Sequence, residues 1–165
     1  MGCLEKEGNA REMKVWLQRV SSASVTIEGE VVAQIGKGYL ALLGIAPTDT
    51  KREADRLLAK LPVLRLFEDD AAHMNRSLQD IGGEIIVVSQ FTLYADTRHG
   101  RRPGFSGAAR PEIAEPLYDY FVAELRRALG EERVGTGRFG ADMKVALVND
   151  GPVSVELREE AEINS

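Results

Sequence analysis

The sequence predicts an α/β, sheet-rich single domain with two main helices packed outside the strands. Short β-branched and apolar runs recur along the chain, bounded by Gly, Asn, Asp and Pro. Only two segments carry an apolar period of helical type. The order runs strands, then strand–helix alternation, then strands again, which places the helices outside a sheet. A length of 165 residues suits one core, and no repeat, low-complexity tract or linker divides it.

The N-terminal third reads as strands. Residues 14–20 are apolar with partial alternation, and Ser24-Val25-Thr26-Ile27 is rich in β-branched residues. Glu28-Gly29-Glu30 turns the chain into residues 31–35, and Gly36-Lys37-Gly38 turns it into residues 39–43, an apolar run typical of a buried strand. Thr50-Lys51-Arg52-Glu53 has capping-box spacing, Ala54, Leu57, Leu58 and Leu61 share one helical face, and Pro62 should end that helix. Residues 63–67 read as a strand with a turn at Glu68-Asp69-Asp70. Glu84-Ile85-Ile86-Val87-Val88 reads as another, running into Ser89-Gln90-Phe91-Thr92-Leu93.

Residues 96–107, rich in Arg and Gly, form a loop in this reading. A second helix spans about residues 111–129: Ile113, Leu117, Phe121, Leu125 and Leu129 recur every four residues, Gly130 suits the C-cap, and Pro116 lies within the first turns. Residues 143–148 and 153–157 read as two closing strands separated by Asn149-Asp150-Gly151-Pro152.

An apolar share of 44 % and a charged share of 28 % are those of a soluble globular protein and exclude fibrous and disordered classes. Cys3 is the only cysteine, so no intrachain disulfide forms and no thiol cluster awaits a metal; a reducing compartment, the cytoplasm, is expected. No apolar run reaches the ~20 residues of a membrane span. Residues 1–12 lack the apolar stretch of a secretory signal, and Met1-Gly2-Cys3 fails as an acylation signal because Lys6 stands where Ser or Thr is needed. They read as a disordered extension, with Met13 an alternative start, and residues 158–165 as an acidic tail. The net charge of −5 is uneven: the segment before Met13 carries −1 and the segment after Val155 carries −3. The remainder is close to neutral, which argues against coating a long RNA but leaves room for a local basic contact.

The motifs for common chemistries are missing: no Walker A loop, dinucleotide fingerprint, His-Glu-x-x-His or Cys-x-x-Cys. His73 and His99 fall in polar surroundings, so a nucleophile–His triad lacks raw material, and both read as solvated. Ser89-Gln90-Phe91-Thr92 offers hydroxyl, amide and backbone donors at a strand end, a rigid platform for a site. The plainer reading is a strand leaving the core through polar residues. Arg98-His99-Gly100-Arg101-Arg102 suits phosphate through forked guanidinium donors, or is a solvated loop. Asn149-Asp150-Gly151-Pro152 reads as a hairpin turn, with a cis Gly-Pro bond a minor alternative. Singly, none of these passages identifies a reaction.

Taken together they resemble the D-aminoacyl-tRNA deacylase (D-tyrosyl-tRNA(Tyr) deacylase) family, from Met13 to about Leu157. Two family signatures stand as Ser89-Gln90-Phe91-Thr92-Leu93 and Asn149-Asp150-Gly151-Pro152-Val153-Ser154. Supporting blocks are Leu17-Gln18-Arg19-Val20, Tyr94-Ala95-Asp96-Thr97-Arg98-His99-Gly100-Arg101-Arg102-Pro103 and Thr136-Gly137-Arg138-Phe139-Gly140-Ala141-Asp142-Met143. The second signature usually ends in Thr; Ser154 keeps the hydroxyl and loses the β-methyl.

The resemblance implies a barrel-like subunit of two packed β-sheets that acts as a homodimer, with Gly151-Pro152 cis and inserted into the neighbour's pocket. There its carbonyl oxygens would reject an L-side chain by collision and pass a D-side chain or glycine, specificity set by a clash. Arg19 would hold that motif. The reaction would be hydrolysis of the ester of D-aminoacyl-tRNA, and of glycyl-tRNA mischarged on tRNA(Ala), as translational proofreading. Ser89, Gln90, Phe91 and Thr92 would form the catalytic pocket, with amides near Phe91 and Thr92 facing the oxyanion. Thr92 is one candidate nucleophile; a route assisted by the adenosine 2′-hydroxyl is preferred, because no base is evident beside Thr92. Phe139, Gly140 and Met143 would shape the adenosine and aminoacyl pocket, and Arg98, Arg101 and Arg102 would meet tRNA phosphates. No metal, cofactor, DNA or membrane is implied. The competing readings are an editor of relaxed chirality, against which Arg19 and Phe91 argue, a non-catalytic tRNA-end binder, and a structural dimer.

Overall fold

Two long strands organise the sheet. β1 (Glu12–Ile27) and β8 (Lys144–Glu160) run antiparallel, with Glu12 facing Glu160 and Thr26 facing Lys144. The computed structural model describes residues 12–160. The extension expected before Met13 and the end of the expected tail lie outside the described residues, apart from Glu12 and residues 158–160, which are strand. The sequence reads β1 and β8 as two strands each, yet each is continuous. Their polar interruptions face one another, Val20 opposite Asn149 and Ser22 opposite Val148, where two register shifts absorb the irregularity.

Along its other edge β1 pairs antiparallel with β3 (Gly38–Gly44) over Lys14 to Val20, then with β2 (Glu30–Ile35) over Ala23 to Ile27. β3 continues in parallel to β6 (Glu84–Ser89), and β6 in parallel to β7 (Val134–Thr136). The two packed sheets implied by the resemblance are therefore one six-stranded sheet. It curls until β2 nears β7: a Cβ added at Gly135 would sit 3.2 Å from that of Ala33. The near-barrel shape needs no second sheet, because β1 and β8 are long enough to serve both halves.

The sheet separates two cores. Tyr39, Ala41, Leu43, Ile85 and Val87 enter the larger one beneath the helices, while Leu40, Ile86 and Val88 enter the smaller one inside the curl. Burial on both faces explains the unbroken apolar runs of β3 and β6. β1 changes sides. Met13, Val15 and Leu17 join the larger core, and beyond the first shift Val20, Ala23, Val25 and Ile27 join the smaller. Gly38 begins β3 because an added Cβ would lie 1.7 Å from the Glu84 carbonyl oxygen, so only glycine lets the parallel pair close there.

α1 (Lys51–Lys60) starts as the sequence predicts: Thr50 Oγ1 accepts from the Arg52 amide at 3.3 Å, and the Thr50 amide donates to Glu53 Oε2 at 2.7 Å. Beyond it, Leu61-Pro62-Val63 forms a 3-10 turn, so the strand expected over residues 63–67 shrinks to β4 (Phe67–Glu68), paired with β5 (Met74–Arg76). α2 (Pro111–Leu129) ends at Gly130, whose amide donates to the Arg126 carbonyl. Its buried face holds Ala114, Leu117, Tyr118, Phe121, Val122, Leu125 and Leu129; Ile113, counted with the apolar stripe, stands exposed. Burial of Phe121 and Leu125 contributes roughly 1.5–3 kcal/mol each.

Candidate active site

Strands β3, β6 and β7 are parallel, and their carboxyl ends lie on one edge of the sheet, where ligands of such sheets gather. A cavity of about 600 Å³ opens there. Ile45 follows β3; Ser89 ends β6 and Gln90 and Phe91 follow it; Phe139, Gly140 and Met143 follow β7. Ala109, Pro111 and Ala114, at the start of α2, close the far wall, with the Ala109 amide donating to the Ile45 carbonyl at 2.8 Å.

The expected extension of β6 through Leu93 is replaced by a 3-10 turn over Phe91–Tyr94. β6 is held to its last residue: Ser89 pairs with Leu43, and the Gln90 amide donates to the Leu43 carbonyl at 2.9 Å. The turn then frees the Phe91 and Thr92 amides, which, as its first two donors, have no carbonyl within it to bond. Tyr94 closes the turn, buried, its hydroxyl donating to the Glu12 carbonyl at 2.6 Å. Phe91 stands 57 % exposed over the cavity mouth, held edge-on by Phe105 at 5.1 Å between ring centroids. Thr92 does not line the cavity; its hydroxyl accepts a hydrogen bond from the Gln90 side-chain amide.

Tyr118, on α2, reaches the cavity wall through Phe139. Burial pushes its phenol up to about 12, so it remains a neutral donor, to the Val87 carbonyl at 2.7 Å. Its ring lies 6.1 Å from that of Phe139 and props it against the cavity. The turn that delivers Ile45 is tied by Asp49, whose Oδ2 accepts from the Ala46 amide at 2.6 Å. Burial pushes the Asp49 carboxyl up to about 7; the Ala46 bond opposes that shift and the Glu53 charge adds to it.

A second group lies elsewhere. Arg19, 7 % exposed, donates from Nε to the Asp150 carbonyl at 2.8 Å and from Nη1 to the Leu66 carbonyl at 2.7 Å. It bridges β8 to the segment before β4. The Gly151-Pro152 bond is cis, and both residues are exposed. Gly151 has φ of 147°, and an added Cβ would sit 2.9 Å from the Val153 amide nitrogen and 3.2 Å from Arg19 Nη2. Asn149 frames the turn: its Oδ1 accepts from the Val153 amide at 2.7 Å, and its Nδ2 donates to Ser154 Oγ at 3.1 Å, so Ser154 retains the contact that needs a hydroxyl. From Val145 at the cavity to Gly151 is six residues, on the order of 20 Å of strand. Within one subunit the two groups do not meet.

The basic loop divides. Arg98 is clamped by Asp96, with Nε to Oδ1 at 2.8 Å and Nη2 to Oδ2 at 2.7 Å. The Arg98 bonds hold the Asp96 carboxyl well below the usual carboxylate range. The Asp96 and Gly104 backbones pair at 2.7 and 2.8 Å, closing the loop on itself. Arg101 and Arg102 project from its exposed tip. Among the described residues no three His, Cys, Asp or Glu side chains gather as metal ligands do. No helix among them is long and apolar enough to cross a membrane.

The D-Tyr-tRNA(Tyr) deacylase family model matches residues 16–158, nearly the whole described chain. The chain belongs to this family. A relative called D-aminoacyl-tRNA deacylase from Roseiflexus sp. (strain RS-1) is 62 % identical over 145 residues, 88 % of this chain and 92 % of that one. A relative of the same name from Bacteroides thetaiotaomicron is 54 % identical over 143 residues, 87 % and 95 % of the two chains. Among solved structures, the c-Myc DNA Unwinding Element Binding Protein aligns with a TM-score of 0.85 at 43 % identity, covering 90 % of this chain and all of that one. A probable eukaryotic D-amino acid tRNA deacylase shares the fold, with a TM-score of 0.79 at 18 % identity and the same coverage.

The family match spans both groups, the 89–92 cavity edge and the Arg19–Gly151 cluster. Sequence reading picked out neither Phe105 nor the α2 wall of the cavity, because an aromatic in a Gly- and Arg-rich loop and small residues before a helix carry no pattern of their own. Asp49 was missed likewise. Its place four residues before the capping-box Glu53 was the available signal.

Proposed function

We propose that this deacylase-family enzyme hydrolyses the ester joining a D-amino acid, or glycine, to the terminal adenosine of tRNA. Water adds to the acyl carbon, the carbon–oxygen bond to the ribose breaks, and a free amino acid and tRNA leave. The observation that carries the reading is a cavity with the Phe91 and Thr92 amides, which the 3-10 turn does not use, beside it, and with Arg110 and Asp142 as the ionisable side chains of its lining. Such a site accelerates reaction by stabilising the oxyanion and positioning the ester. Thr92 is a poor nucleophile here, because Gln90 donates to its hydroxyl oxygen and so occupies a lone pair that attack would need. The adenosine 2′-hydroxyl is the better placed activator of water.

Chirality is read by a second copy of the chain. Gly151 and Pro152 are exposed, as are Val148 on the same strand and Phe91 at the cavity mouth, which is the surface a subunit contact would cover. The carbonyl oxygens of the partner's turn would face the α-carbon of the bound ester and exclude an L-side chain. Arg19 holds that turn from within its own subunit. Arg101 and Arg102 approach the tRNA phosphates, whereas Arg98 shapes the loop.

The test is deacylation of matched D- and L-tyrosyl-tRNA by the purified chain, with and without chelator. Loss of the D-ester alone, unchanged by chelator, is expected. Equal loss of both esters would replace the chirality filter with relaxed editing, and loss of neither would remove the hydrolase reading.

A further inference from the structure

Phe139 is a wall between two cavities. One is the 600 Å³ site; the other, of about 420 Å³, lies on its far side between α2 and the segment after β7, with Thr136 and Arg138 on one flank. We propose that this second cavity receives the nucleotide that precedes the terminal adenosine, so that the enzyme grips two successive residues of the tRNA 3′ end, one on each side of Phe139. This rests on the tRNA-ester reading of the first cavity.

Four observations lead there. The volume falls in the roughly 300–1,000 Å³ of small-ligand sites. The shared wall is an aromatic ring, and single-stranded bases stack on such rings. The lining carries both signs: Arg126 supplies donors, while Glu115 and Asp119, one turn apart on exposed α2 positions, supply acceptors. A pyrimidine edge with a ring carbonyl and an exocyclic amino group needs both, whereas a simple anion would be repelled by the two carboxylates. Finally, Arg138 is exposed, adjoins Phe139 in the chain, and its guanidinium makes no hydrogen bond or ion pair among the described residues. It lines the second cavity next to the shared ring, where a guanidinium suits a phosphodiester.

The deciding comparison is kcat/KM for the D-tyrosyl ester of adenosine against that of cytidylyl-(3′-5′)-adenosine, together with equilibrium binding of uncharged adenosine and cytidylyl-adenosine. The dinucleotide is expected to be favoured about tenfold in both measurements. Arg138→Ala and, separately, Ala123→Phe, which fills the cavity from an exposed helix position, should each reduce that ratio to about twofold or less, with the thermal midpoint checking the fold. A ratio near one in the native chain, or a ratio unchanged in both variants, would overturn the proposal. If neither ester is hydrolysed, the hydrolase reading fails, and the binding ratio alone still decides whether the second cavity takes a nucleotide.

Discussion

Arg19 Nε donates to the Asp150 carbonyl oxygen at 2.8 Å, joining residues 131 positions apart in the chain. The same guanidinium reaches the Leu66 carbonyl, so one buried side chain sets the height of the turn that carries Gly151 and Pro152. Arg19→Lys keeps the charge but loses the planar fork that serves two carbonyls at once. A charge-assisted bond of this kind is worth roughly 1.5–3 kcal/mol. Arg19→Lys is therefore expected to lower D-tyrosyl-tRNA deacylation about tenfold or more and to narrow the D/L rate ratio, both read from the same deacylation assay. An unaltered ratio would show that the turn holds its place without Arg19.

Phe105 lines the cavity beside Phe91, with ring centroids 5.1 Å apart. Aromatic pairs of this geometry contribute about 0.5–1.5 kcal/mol beyond burial. Phe105→Ala should reduce kcat/KM about two- to tenfold, and Phe105→Tyr should restore it. Phe91→Ala, which removes the ring at the mouth itself, should cost more, and adding Phe105→Ala to it should change little further. Additive losses would mean that Phe105 acts independently of Phe91.

Arg101 and Arg102 are exposed, whereas Arg98 is spent on Asp96. Each phosphate contact to a single strand contributes about 0.7 to the slope of log affinity against log salt. The double variant Arg101→Ala, Arg102→Ala should flatten that slope by about 1–1.5 in a tRNA-binding titration. Arg98→Ala should leave the slope nearly intact while loosening the Asp96–Gly104 pairing, seen as faster amide exchange at those two residues.

Burial raises the Asp49 carboxyl from an unfolded value of 3.8 to about 7. A raised acid binds its proton more tightly when folded, so its contribution is whole below about pH 4 and is lost as pH rises through 7. Asp49→Asn keeps an oxygen for the Ala46 amide and carries no charge. Across about pH 5 to 8 the thermal midpoint of the native chain should fall relative to that of Asp49→Asn. Parallel curves would show that Asp49 ionises freely in the folded state.

Local chemistry was enough for the elements whose signals lie within a few residues. The Thr50–Glu53 capping box, the Gly130 helix end and the doubly buried runs of β3 and β6 were legible because each is decided by neighbours in sequence. The family signatures at 89–93 and 149–154 were legible for the same reason. The sheet's connectivity was not. Whether β1 and β8 are two strands or four depends on their polar interruptions falling opposite each other, and a register between residues more than a hundred positions apart leaves no mark on either segment. The site divides likewise. Its residue types stand in the sequence, but only the tertiary structure lays Ser89, Phe91, Phe139 and Met143 around one cavity, ties Arg98 to Asp96, and sets Gly151 and Pro152 on the order of 20 Å away along a strand. Composition and spacing determine what a segment can form alone. Which partner completes a buried hydrogen bond, and which face a strand turns to the core, is settled by the closure of the sheet.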